Sequence, residues 1–239
     1  MEAEFQAWLQ PLLAWWQSHF GSVGATVGDA VGSATAHLDM TSLLALAAAL
    51  GWASGLRLYL VVFVVGLSGA LGLWALPGGL QVLQHPALLV VSGALLFVEF
   101  FADKIPGLDS LWDLLNSVLR VPGGAALAAG VFGADSATMA LVAALLGGTL
   151  AASSQVAKTT TRAAINTSPE PFSNVVASLA EDGLALGALW LATHHPLVFV
   201  GVLTVVVLLA AWLTWVLLSF LRAAWHRLSR LFSASEKVA

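Results

Sequence analysis

The sequence predicts an all-α fold: a polytopic transmembrane helix bundle with about five spans, a broken first helix and amphipathic interfacial helices. Three observations lead there. Only 9% of the 239 residues are charged and 59% are hydrophobic. Soluble domains carry about 25% charged residues, so lipid must solvate much of this surface. Mean hydropathy is +0.90. Several stretches reach the roughly 20 mostly apolar residues that a bilayer-crossing helix needs. The net charge of −4 comes with no long basic run, so no nucleic-acid partner is expected. Cysteine is absent, which excludes a disulfide framework, thiolate chemistry and a cysteine-held metal.

Residues 1–38 read as an N-terminal extension. Trp8, Leu9, Leu12, Leu13, Trp15, Trp16 and Phe20 recur at helical spacing. The indoles suit the lipid–water interface, or else the helix packs on the protein's own loops. Residues 21–36, rich in Gly, Ala, Ser and Thr, read as a linker. No basic n-region precedes an apolar h-region, so no cleaved secretory signal is expected.

The transmembrane domain is assigned to residues 39–220. Asp39 or Thr41 caps the first helix. The apolar stretch 43–73 is interrupted by Gly51-Trp52-Ala53-Ser54-Gly55 and carries Arg57. It predicts a short helix, a break, and a full span over about 56–75 ending at Pro77-Gly78-Gly79. A second span runs from Pro86 to about Phe101. Residues 106–120 place Leu108, Leu111, Trp112, Leu115 and Leu119 on one helical face. Asp109, Asp113, Asn116, Ser117 and Arg120 lie on the other, the pattern of an amphipathic helix at the interface or at a pocket mouth. Pro122-Gly123-Gly124 starts a short apolar piece to Phe132.

Asp135 and Ser136 cap a span over about 137–157 that runs into Lys158-Thr159-Thr160-Thr161-Arg162. Ser168-Pro169-Glu170 is a helix start. The helix over about 171–192 ends at His194-His195-Pro196, and the last span covers 197–220. A basic tail, 221–239, carries Arg222, Arg227, Arg230 and Lys237, which predicts a cytoplasmic C-terminus. Residues 1–56 hold no Lys or Arg, which favours an external N-terminus and an odd number of crossings.

Charged side chains at bilayer depth are costly unless they face a cavity or a partner, so their positions carry the functional signal. Glu99, Asp103, Lys104, Asp109 and Asp113 form one cluster. Glu99 and Asp103 share a helical face, as do Asp109 and Asp113. Such carboxylates hold a hard cation or relay protons. They also serve as ordinary residues at a span end and a helix N-terminus. A second cluster pairs two helices. Ser154, Lys158 and Arg162 form a basic stripe. Asn174, Ser178 and Glu181, with Asp182 beside them, lie on the next helix. Glu181 and Asp182 are surrounded by apolar residues, so they should face the bundle interior and meet Lys158, Arg162, Arg57 or a bound ion. A purely structural ion-pair network is the competing reading. The break before Arg57 either exposes backbone for binding or permits tight helix packing. Small residues before a base recur at 53–57 and 153–158, a weak internal echo compatible with an inverted repeat. The metal candidates are Glu99, Asp103, Glu181 and Asp182. No histidine sits at zinc-motif spacing. No nucleophile elbow, phosphate loop or dinucleotide fingerprint occurs, so no catalytic residue and no cofactor is assigned.

Three segments resemble a bacterial membrane family catalogued as a domain of unknown function, number 4126. They are Gly51-Trp52-Ala53-Ser54-Gly55-Leu56-Arg57-Leu58-Tyr59, Glu99 through Asp113, and Ile165 through Asn174. The likeness covers about residues 40–195 and implies a multi-pass protein of the bacterial inner membrane, with no activity attached. Glu99 to Lys104 is also similar in content to the motif of calcium and manganese cation–proton exchangers. It is one residue longer, has Ala102 for the motif's glycine and Ile105 for its hydroxyl residue, and has no clean second copy.

The leading functional expectation is a transporter or channel for a small ionic solute. A cation is slightly favoured, through Glu99, Asp103, Glu181 and Asp182; an anion would use Arg57, Lys158 and Arg162. The alternatives are a lipid-handling protein, an enzyme or flippase acting on a phosphate-bearing lipid, and a membrane assembly factor docking through residues 1–38. The expected partners are membrane lipids, the solute and, by symmetry, a second copy in a homodimer.

Overall fold

The structure is a computed structural model that describes residues 39–105, 108–133, 136–166 and 171–235. The N-terminal extension and the docking role expected of it lie outside the described residues. Those described are all helical apart from short connections. The helices are α1 (Met40–Ala70), a 3₁₀ helix (Gly78–Gln84), α2 (Pro86–Ala102), α3 (Leu108–Gly130), α4 (Ala137–Ile165), α5 (Pro171–His194) and α6 (Pro196–Ser235). By length and apolarity four of them can cross a membrane, or up to five if the 3₁₀ helix and α2, bent by 70° at their junction, count as one span.

The helix ends follow local chemistry. Asp39 caps α1, its carboxylate accepting from the Ser42 N–H at 2.9 Å. Hydrogen bonds from Ser42 hold the Asp39 pKa below its ordinary value. Pro86 opens α2 behind a His85 cap, and Ser136 caps α4.

α1 is broken, at Arg57, whose φ of −146° and ψ of 73° are non-helical. The glycines that announce a break in the sequence sit in the helix just before it. Here α1 reverses. Ser42 and Leu46 before the break line the same cavity, about 530 Å³, as Val64, Val65 and Ser68 after it. A straight helix, rising about 1.5 Å per residue, would hold Leu46 and Val65 roughly 28 Å apart. The two arms therefore form a helical hairpin with Arg57 at its tip.

The other helices pack around this hairpin, and α1 touches every one of them. α4 runs parallel to the first arm. A Cβ on Gly51 would strike the Gly147 backbone, and one on Gly55 would strike Ala151 and Ser154. α2 runs antiparallel to the second arm, with Gly66 against Leu83 and Leu89, and Gly93 against Phe63. α2 and α3 form a second hairpin whose turn lies level with the Arg57 tip. α4 and α5 descend and return beside it. The ends of both α1 arms, the start of α2 and the α5–α6 junction thus lie at one end of the bundle, the proximal end. The end of α2, the start of α3, the end of α4, the start of α5 and the C-terminal part of α6 lie at the distal end.

α3 departs from its expected placement. It is one helix through Pro122 to Gly130, and its polar face points inward. Asp109, Asp113, Asn116 and Arg120 are buried, while Leu111, Leu114, Leu115, Val118 and Leu119 are exposed. The amphipathic pattern is real, but its apolar side is the exposed one and its polar side is the protein core.

Candidate functional site: a buried charge network

The tips of both hairpins converge with α4 and α5 on a network of ion pairs. Arg57 reaches it because the break turns its side chain into the space between α2 and α5. Its guanidinium contacts Asp103, lies 3.9 Å from Glu99 and 2.8 Å from Asp182, and donates to the Ser178 hydroxyl at 2.6 Å and carbonyl at 3.2 Å. Lys158 lies 3.0 Å from Asp113 and 3.2 Å from Glu181, and donates to the Leu56 carbonyl at 3.1 Å, beside the break. Arg162 donates to Glu181 at 3.0 Å and to the Asn174 carbonyl and side chain at 3.2 and 3.3 Å. It also approaches Asp103 and Asp109 at 3.9 Å.

Of the residues singled out in the sequence, Arg57, Glu99, Asp103, Asp109, Asp113, Lys158, Arg162, Asn174, Ser178, Glu181 and Asp182 all belong to this one assembly. The two clusters read separately along the chain are one site. Lys104 is not part of it. Its ammonium sits over the Phe100 ring, 2.9 Å from the centroid, and donates to the Phe100 carbonyl.

Four members were not read as site residues from the sequence. Arg120 pairs with Glu99 at 2.5 Å and Asp113 at 2.9 Å, and Gln155 accepts from Arg120 at 2.8 Å. The signal for Arg120 was present: residues 109, 113, 116 and 120 recur at the helical spacing that marks one face. Asn166 joins through bonds to Asp109 and Asn174. Tyr59 donates to Asn116 at 2.6 Å and closes the assembly on the α1 side.

The charge balance is uneven. The ion pairs join six carboxylates, Glu99, Asp103, Asp109, Asp113, Glu181 and Asp182, to four cations, Arg57, Arg120, Lys158 and Arg162. Fully ionised, the network carries two surplus negative charges. Glu99, Asp103 and Asp113 are buried to 1% exposure or less. Among the described residues Glu99 Oε2, Asp103 Oδ1 and Asp113 Oδ2 accept no hydrogen bond. Buried charge without compensation is expensive, so the fully ionised network is costly as it stands. The acids are interleaved with guanidinium and ammonium groups, and among the described residues no three Asp, Glu or His groups converge to hold a metal ion.

Two cavities lie in the bundle, and one of them reaches the network. One, about 700 Å³, lies between α4, α5 and α6 and reaches Lys158 and Glu181 directly. The other, about 530 Å³, lies between the arms of the α1 hairpin at the proximal end, beside Thr193 and His194. Leu50, Ala53 and Val61, all at 0% exposure, lie on the arms between that cavity and Arg57.

A family model described as "Domain of unknown function (DUF4126)" matches residues 44–216. The chain belongs to this family. Every residue of the network falls inside the matched region, so the network is part of the family's shared segment and not of the flanking extensions. The comparisons with curated proteins and with solved structures find no match.

Proposed function

We propose that this protein is a membrane transporter for a small ionic solute, in which the buried network binds a cation or exchanges protons for one. The observation that carries the reading is the network's surplus of two carboxylates over cations, with buried carboxylate oxygens left without donors. The surplus is neutralised when protons or a cation bind and is restored when they leave. The cavity between α4, α5 and α6 reaches Lys158 and Glu181, and Leu50, Ala53 and Val61 close the network off from the proximal cavity. In this reading the basic residues after the last span, Arg222, Arg227 and Arg230, put the distal end at the cytoplasmic face of a bacterial inner membrane.

The test is proteoliposome flux. The purified protein is reconstituted with a pH-sensitive dye inside, and gradients of Na⁺, K⁺, Mg²⁺, Ca²⁺ and Mn²⁺ are imposed in turn. One cation should drive proton movement, and Glu181→Gln should lower the rate at least tenfold while the protein remains folded and monodisperse. Absence of proton or cation flux under every gradient would defeat the proposal.

A further inference from the structure

The cavity between α4, α5 and α6 is not needed to hold a small hydrated ion, and its lining is unlike a water-filled path. The α6 wall is one helical stripe, Val206, Val207, Ala210, Ala211, Thr214 and Trp215, and small residues at its centre create the space. The opposite wall includes Trp52, Ala177, Ala180 and Leu184. Among the described residues two charged groups line it, Lys158 and Glu181. A space of about 700 Å³ falls in the range that holds an organic molecule, roughly 300–1,000 Å³.

The charge that fits follows from the floor. Lys158 has three N–H donors, and its ammonium already meets three acceptors, Asp113, Glu181 and the Leu56 carbonyl, at 3.0, 3.2 and 3.1 Å. It has no donor left for an anion. Glu181 faces the same space with its side chain 11% exposed, and behind it stands a network with surplus negative charge. Trp52 and Trp215 add aromatic faces, which attract cations.

We propose that this groove binds a lipophilic organic cation, with its charge against Glu181 and its apolar body between Trp52 and the α6 stripe. This deepens the transport reading by naming a substrate class for the same site, and it rests on the network's net negative charge. Lys158 stays a partner of Glu181 and does not contact the ligand's charge. Entry is lateral, between helices whose outer faces are apolar.

Two ions of nearly equal size and opposite charge test it: tetraphenylphosphonium and tetraphenylborate. Equilibrium binding of each is measured on the detergent-purified full chain. Tetraphenylphosphonium should bind at least tenfold more tightly than tetraphenylborate. Glu181→Gln should weaken it at least tenfold. Because Glu181 also holds the network together, a second variant is needed. Ala210→Trp fills the groove without touching an ion pair and should abolish binding while leaving the thermal transition of the ligand-free protein within a few degrees. Equal binding of both ions, or no binding of either, overturns the proposal. Preference for tetraphenylborate overturns it in favour of an anionic lipid head group. If the phosphonium binds as expected but no inorganic cation drives flux, the transport reading fails and the groove assignment stands; the reverse result fails the groove alone.

Discussion

Arg120 shows what the network asks of a single side chain. It is fully buried, bridges Glu99 to Asp113 and takes Gln155 as a third partner. Arg120→Met would leave two carboxylates without their common cation. Breaking a buried pair from one side costs about 3–5 kcal/mol, so this variant should show a sharply lowered thermal transition in detergent or fail to accumulate. Glu99→Gln combined with Arg120→Met should recover part of the loss, because the unpaired charge is removed with its partner. A double-mutant cycle in thermal unfolding reads that coupling. Equal loss in single and double variants would mean that Arg120 acts through packing. At this scale the sequence was informative wherever a charge interrupted an apolar run, as at Arg57, Glu99 and Glu181. Arg120 was harder to find because it ended a segment that already looked amphipathic, where polar residues needed no further explanation. Gln155 gave no sign at all, since a neutral amide among small residues has no cost that singles it out.

At the scale of the helix, α3 and the glycines of α1 carry the argument. The pattern of residues 108–120 has a clear period, but a period does not say which solvent lies on which side. In water the apolar stripe of such a helix turns inward; in a bilayer the same stripe can face lipid. Four polar residues on one face, all chargeable or amide-bearing, favoured the inward placement once the fold offered partners from α1, α2 and α4. The continuation through Pro122 also escaped the local reading, because a proline's missing N–H is tolerated in a membrane helix when neighbours support the freed carbonyl. The Gly51–Gly55 stretch looked like the break and is instead the contact that lets α4 approach. Gly51→Val should therefore destabilise the protein strongly, since its first side-chain carbon already meets the Gly147 backbone. Gly187→Ala, where an added Cβ meets nothing within 4 Å, should be neutral within about 0.5 kcal/mol. The pair of thermal melts separates helix packing from mere flexibility.

For the molecule as a whole, the strongest expectation concerns which residues share a side of the membrane. The α1 hairpin places Ser42 and Ser68 together at the proximal end, whereas a first helix that crossed the bilayer would separate them. The chain has no cysteine, so Ser42→Cys and Ser68→Cys can be made without removing any. A membrane-impermeant maleimide should label both from the same face, and Arg222→Cys from the opposite one. Labelling of Ser42→Cys and Ser68→Cys from opposite faces would refute the hairpin. The multi-spanning helical class was legible from composition alone. The reversal was not, because hydropathy measures how apolar a stretch is and not which way its backbone turns. One residue with non-helical torsion decides that, and Arg57 adopts it among partners as far along the chain as Ser178 and Asp182.

That separation has a consequence for how the protein is made. Arg57 leaves the ribosome long before Ser178 and the carboxylates next to it. At about 5–20 residues per second, 121 residues take roughly 6–24 s to synthesise. During that interval a guanidinium destined for the bilayer interior has few of its counter-charges available. The first hairpin cannot settle in lipid as a finished unit. Until α5 arrives its guanidinium has only Glu99 and Asp103 of α2 as counter-charges, so the pairing of the hairpin tip is completed late in synthesis.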